Sequence, residues 1–234
     1  MAHAYSTNEI ADDIKRRLKQ LREPTTAAMR QIRREFSRRI AAMPAKDVLN
    51  LALRLRQMDL PDFFAFELLQ HHQPAMNSMN SKVLEALGRG IDNWIAVDCF
   101  GCFVSGPVWR EGLVPDSLIQ RWARSKDRWW RRAAVVSTVP LNNKTRGGGG
   151  DAARTLRICE MLTHDRDDMV VKAMSWALRE LSKRDSQAVK GFIQKHHDDL
   201  APRVLREVSN KLESGLKNPN RNDPRKHTKL HEED

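Results

Sequence analysis

Apolar residues recur at helical spacing along almost the whole of this chain, and strand-type alternation is weak throughout. Ile10, Ile14, Leu18 and Leu21 share one stripe of a segment spanning 8–21, which Pro24 ends. Thr25 or Thr26 can cap the next helix, where Met29, Ile32, Phe36 and Ile40 repeat the spacing. The same pattern predicts helices over 45–57, 61–72, 80–88, 91–104, 115–124, 127–138, 151–163, 167–182, 185–196 and 201–215, with Pro61 in the first turn of its helix. Residues 141–150, LNNKTRGGGG, read as a flexible loop because four successive glycines favour no regular element. Residues 216–234, rich in Asn, Lys, Arg and Pro, read as a disordered polar tail, which leaves 1–215 as a single helical domain.

Three of these helices share a frame. Asp127-Arg-Trp-Trp-Arg-Arg-Ala133 matches Asp167-Asp-Met-Val-Val-Lys-Ala173 at an offset of 40 residues, and Asp92-Asn-Trp-Ile-Ala-Val-Asp98 fits 35 residues earlier. An acid at the helix start favours the N-terminal dipole, and a small residue six positions on permits close packing. Paired helices repeating every 35 to 47 residues predict an all-α fold, a curved α-solenoid of HEAT-like antiparallel helix pairs. Its concave face would be lined by the second helix of each pair.

Asp98 is the misfit. It occupies a position that takes Ala133 and Ala173 in the later repeats, inside the apolar run IDNWIAVDCFGCF. A carboxylate leaving water costs roughly several kcal/mol unless it is compensated. Arg132, in RWWRRAAVV, is the candidate partner, and a core ion pair without further function is the plain alternative. Trp94 lies one turn before Asp98 on the same helix face, and Trp176 lies in KAMSWALRELSKR, between Lys172 and Arg179. For any single Trp, core packing is the plain alternative.

Composition and charge narrow the partner. Tyr5 is the only tyrosine, β-branched residues are sparse, and Ala, Leu, Arg, Lys, Glu and Gln dominate, which favours helix. The net charge is +11, and the tail's five basic and four acidic residues leave +10 on the body. A body this basic fits a polyanion such as nucleic acid better than it fits a protein-binding scaffold. Between Lys15 and Arg39 ten basic residues stand against Glu23 and Glu35, a cluster suited to phosphate contact unless it is simply a solvated face. Cys99, Cys102 and Cys159 give no disulfide framework, and a CxxC within an apolar helix reads as core. The pairs His71-His72 and His196-His197 lack a third ligand at coherent spacing, so no metal is expected. No signal peptide and no membrane span are evident, so the expected location is cytoplasmic.

NWIAVD, WWRRAAV and KAMSWALRE, in this order and spacing, resemble the AlkD-like DNA alkylation repair glycosylases. The resemblance runs from about Lys82 to Asn210, extends more weakly over Thr25 to Gln70, and does not reach the tail. It implies a basic concave groove holding duplex DNA, and hydrolysis of the N-glycosidic bond of N3- and N7-alkylated purines without flipping the lesion. By motif position it makes Asp98 the catalytic carboxylate, and Trp94 and Trp176 the aromatic pair at the lesion's deoxyribose. Arg132 and Arg179 would meet the DNA backbone, with Lys172, Arg131, Arg33 and Arg34 completing the expected DNA-binding set. The implied partner is double-stranded DNA carrying alkylated bases, met by a monomer beside the nucleoid, with no cofactor. One departure is Tyr5, which lies outside the N-terminal helices where relatives carry an aromatic hydroxyl.

The chemistry suits these residues. An N3- or N7-alkylated purine is already cationic, so it leaves without an acid to protonate it, and positive charge passes to the sugar. A fixed carboxylate stabilises that charge and orients water, and a Trp face adds about 0.5–2 kcal/mol when desolvated. This predicts selectivity for cationic lesions over neutral ones such as uracil. The rival expectation, from a different class, is a non-catalytic HEAT-like protein that binds damaged or branched DNA.

Overall fold

A computed structural model describes residues 6–219, and every described element is helical. The chain runs through α1 (Thr7–Lys19), α2 (Thr26–Arg39), α3 (Ala45–Arg56), α4 (Asp62–Gln70), α5 (Gln73–Asn77), α6 (Ser81–Gly88) and α7 (Trp94–Phe100). It continues through α8 (Gly106–Arg110), α9 (Asp116–Ala123), α10 (Arg128–Val136), α11 (Val139–Asn142), α12 (Ala152–Glu160), α13 (Asp168–Leu181), α14 (Ser186–Lys195) and α15 (Pro202–Ser214). Tyr5 and residues 220–234 lie outside the described residues.

The helices pack in pairs and the pairs stack as an α-solenoid. One layer runs α2, α4, α7, α10, α13, α15, each packed on the next. The other holds α1 on α3 and α3 on α6, then α9 on α12 and α12 on α14, with α3·α4, α9·α10, α12·α13 and α14·α15 joining the layers. Apolar stripes such as Ile10, Ile14 and Leu18 are buried between the layers, as the spacing requires. An aromatic chain of Phe66, Phe100, Trp122 and Trp130 ties α4, α7, α9 and α10, with successive ring centroids 4.8–5.8 Å apart. Trp109 and Trp122 are buried core residues, and Trp130 packs half-buried against Trp122.

The repeat frame is visible in the caps. The side chains of Asp127 and Asp167 accept the backbone N–H of Trp129 and Met169. In the first repeat the cap falls on Asn93, which accepts from Ala96 at 2.9 Å, while Asp92 stays exposed. The helix expected over 91–104 therefore starts at Trp94, and its end also differs. Gly101–Ser105 widen into a π-helical turn before α8, where Pro107 has no N–H to continue the α-ladder.

The glycine loop is pinned rather than loose. Gly148 and Gly150 donate to the carbonyls of Asn143 and Leu141, and Arg184 donates to the carbonyl of Asn142. A Cβ on Gly148 would lie 2.3 Å from the Pro140 carbonyl oxygen, so glycine is what lets this loop lie against the end of α11. The start of the expected tail is held too, since the Lys217 ammonium lies 3.3 Å from the Glu207 carboxylate of α15.

Candidate functional site

The site is built where α7 presses on α10. A Cβ on Gly101 would stand 2.5 Å from a Val136 methyl, and one on Gly106 would stand 2.6 Å from the Ser137 carbonyl. Ser105 and Ser137 hydrogen-bond across this contact at 2.6 Å. So close an approach lets a side chain of α10 reach a carboxylate on α7.

Arg132 makes that reach. Its Nε donates to Asp98 Oδ1 at 3.0 Å and its Nη2 to Asp98 Oδ2 at 2.9 Å, a two-pronged pair in fixed geometry. Its Nη1 donates to the Met169 carbonyl in the first turn of α13. Three helices are therefore locked through one guanidinium, on a residue only 5% exposed. Asp98 itself is more open, with 20% of its side chain exposed. Burial pushes its carboxyl above the ordinary aspartate range, against the pull of the Arg132 charge.

Trp94 is 52% exposed, as is its neighbour Ile95, and Trp94 opens the helix face that carries Asp98 one turn later. A half-exposed Trp does not belong to the core, so the plain reading of Trp94 fails where that of the buried Trp122 holds. Trp176 is half-buried on α13, the helix that receives Arg132, and no hydrogen bond joins it to Asp98.

The expected DNA-contact residues fall into three groups. Arg34 is exposed on α2 and makes no ion pair among the described residues. Lys172 is held by Asp168 at 2.5 Å, one turn earlier on α13, with Arg203 3.5 Å from the same carboxylate. The remaining four are committed inside the fold, Arg132 through the Asp98 and Met169 contacts already described. Arg33 is buried beside Glu67 at 3.5 Å. Arg131 is spent on Asp165 at 2.7 Å and on the carbonyls of Ser125 and Lys126. Arg179 donates to Ser175 Oγ at 3.2 Å, and burial lowers its pKa despite the nearby carboxylates of Glu207 and Glu180. Half of the early basic cluster is likewise in ion pairs, with Arg16, Arg17, Arg30, Arg33 and Arg39 held by Asp13, Glu35 or Glu67.

Glu67 was not singled out from the sequence, although it carries the same signal as Asp98. It sits in the apolar run FFAFELL of α4, is 4% exposed, and is gripped by Arg30 at 2.6 Å and by Arg33. Both carboxylates act on the Cys99 thiol, which burial first and then the charges of Glu67 and Asp98 push up to about 12. Burial does the same to Cys102, so the CxxC is protonated at neutral pH and serves as packing. Among the described residues no His, Cys, Asp and Glu side chains gather in a group able to hold a metal ion. No described helix is long and apolar enough to cross a membrane.

What the arrangement offers is an anion with a fixed orientation and one open side, next to an exposed aromatic face, on a basic protein. A family model described as DNA alkylation repair enzyme matches residues 3–212 of the chain. No curated protein matches it.

Proposed function

As this chain belongs to the family of DNA alkylation repair enzymes, we propose that it is a monofunctional glycosylase for N3- and N7-alkylated purines in duplex DNA. The observation that carries the reading is Asp98, a carboxylate held by a buried arginine and open to solvent on one side. In the proposed reaction the bond between C1′ and the purine nitrogen breaks, and its electron pair neutralises the cationic base. The sugar becomes an oxocarbenium ion, which water attacks at C1′ with loss of a proton. Asp98 stabilises the sugar's charge and orients that water, while Trp94 and Trp176 face the deoxyribose. Arg132 positions Asp98 in this scheme: its two prongs fix the carboxylate before any charge develops, so little reorganisation is left for the transition state. The lesion stays unflipped and no cofactor takes part. The protein acts as a monomer on cytoplasmic DNA.

The test is base release from methylated duplex DNA by the wild type and by Asp98→Asn, which keeps shape but removes charge. Release of 7-methylguanine or 3-methyladenine should fall by about 10²–10³ in the variant, with DNA binding kept. If the wild-type protein releases neither base, the reading fails. A second reading rests on the fact that both Asp98 oxygens already accept from Arg132, as in a purely structural pair. It makes the protein a non-catalytic binder of damaged or branched DNA. Salt-sensitive binding by both proteins, without base release by either, would select it.

A further inference from the structure

Five residues beyond Asp98, in the π-helical turn that follows α7, stands Phe103, which lines a cavity of about 380 Å³. Its walls come from the end of α4, from α5, from α8 with the turn after it, and from Arg146 just ahead of the glycine loop. The volume lies in the lower part of the range for small-molecule sites, about 300–1,000 Å³. None of the residues assigned to base release lines it.

Its chemistry is mixed in a specific way. The Arg146 guanidinium lies 4.9 Å from the Phe103 ring centroid and makes no ion pair among the described residues. Arg110 spends Nη1 on the Arg146 carbonyl at 2.6 Å and Nε on Glu111, which leaves Nη2 without a partner among the described residues. Among the described residues the Gln70 amide makes no hydrogen bond, and Gln73 bonds Asn77 at 2.7 Å through one edge of each amide, leaving the other edges free. Met76, Val108 and Leu113 add apolar wall. An unpaired cation, a second guanidinium that offsets the Glu111 carboxylate, an aromatic ring, free amide edges and an apolar wall together suit a ligand with an anionic group and a planar hydrogen-bonding ring.

The glycine run explains how Arg146 comes to be there. Gly147 adopts φ +81°, a left-handed turn directly after Arg146. Gly148 then lies against the Pro140 carbonyl with no room for a Cβ. The side chain of Arg146 is thereby aimed at Phe103 while its carbonyl is gripped by Arg110. A loop this constrained, ending on an unpaired arginine over an aromatic ring, is a built feature that base release does not use.

We propose that the cavity lined by Phe103, Arg110 and Arg146 binds a single nucleotide, with its phosphate at the two guanidinium groups and its base against the apolar wall and the amide edges. The nucleotide comes either from an unpaired position in bound DNA or from free solution, and the proposal does not depend on Asp98 chemistry. The experiment is calorimetric titration of the full chain with deoxyadenosine monophosphate and with inorganic phosphate. In parallel, a duplex with one bulged nucleotide is compared with its fully paired counterpart. Deoxyadenosine monophosphate should bind one to one and more tightly than inorganic phosphate. Arg146→Gln and Phe103→Leu, each verified by an unchanged unfolding curve, should weaken it by at least about tenfold. A preference for the bulged duplex that Arg146→Gln abolishes identifies the strand as the source. Arg146-dependent binding of the free nucleotide alone identifies solution as the source. Failure of both arms, equal affinity for inorganic phosphate, or binding indifferent to Arg146→Gln in a folded variant overturns the proposal. Asp98→Asn should bind deoxyadenosine monophosphate as the wild type does, so a failure of base release leaves this result legible.

Discussion

Two carboxylates sit in apolar helices of the same layer, Glu67 on α4 and Asp98 on α7, and both are held by arginines of a neighbouring helix. Glu67 is closed off at 4% exposure and shared by two arginines, whereas the Asp98 side chain keeps 20% exposure and is held by one. Glu67 has the geometry of a structural pair, because both of its partners come from α2 and its own carboxylate is closed to solvent, the exposed group beside it being the Arg30 side chain that grips it. Asp98 pairs on one side and opens on the other, next to a half-exposed Trp. A buried ion pair is weak evidence of function by itself. The combination of fixed orientation and an open face is what separates the two.

The sharpest way to break this comparison is to remove the arginines. Arg132→Met leaves Asp98 unpaired and the Met169 carbonyl without its donor, and should lower stability by about 3 kcal/mol, the low end for a broken buried pair, because Asp98 is partly hydrated. Arg33→Met should cost distinctly less, since Arg30 still grips Glu67 at 2.6 Å and Arg33 Nε has no hydrogen bond to lose. Chemical denaturation of both variants decides it. Equal losses would make Arg132 no more of a lynchpin than Arg33.

Trp94→Ala sharpens the same contrast. The side chain is half exposed, so stability should move by less than about 0.5 kcal/mol. Base release should fall by a factor of about 2 to 30, the loss of one cation–π contact. Single-turnover kinetics beside a melting curve would show whether the two effects separate.

The pH dependence of Asp98 should run in opposite directions for activity and stability. Its folded carboxyl titrates above the ordinary aspartate value. The ionised form is therefore disfavoured by the fold, and its contribution to stability grows as pH falls through the folded pKa and is lost as pH rises through it. Activity needs the ionised form, so base release should fall over that same acidic window. Asp98→Asn should flatten the stability trend; a wild-type rate that holds below pH 4, near the ordinary value of about 3.9, would contradict the shift.

The smallest effect concerns α2, where exposed Arg34 and buried Arg33 are neighbours. Arg34→Gln should weaken DNA binding a few-fold and reduce the salt slope by about one, with stability unchanged. Titrations at several salt concentrations test this, and an unaltered slope would place Arg34 outside the DNA contact.

Helical periodicity, Asn, Asp and Thr caps, and Pro and Gly breaks are local signals, so the helices could be read from the sequence to within a few residues. Asp98 was also legible, because an acid in an apolar run at a small-residue repeat position breaks two local rules at once. The same reasoning could have found Glu67, but no repeat register marked it. Short α5, α8 and α11, and the π turn at Gly101–Ser105, were not legible, because they depend on the helices they pack against, α5 on α3 and α4, and the others where α7, α8, α10 and α11 meet. Nor could the sequence rank the arginines. Arg33 and Arg34 are adjacent, as are Arg131 and Arg132, yet which is buried depends on the helix facing them some 34 residues away. Sequence alone thus determined the repeat, the basic charge and the carboxylate that does not fit. Only the tertiary structure decided which guanidinium holds that carboxylate and which side is left open, because both depend on groups that meet across helices.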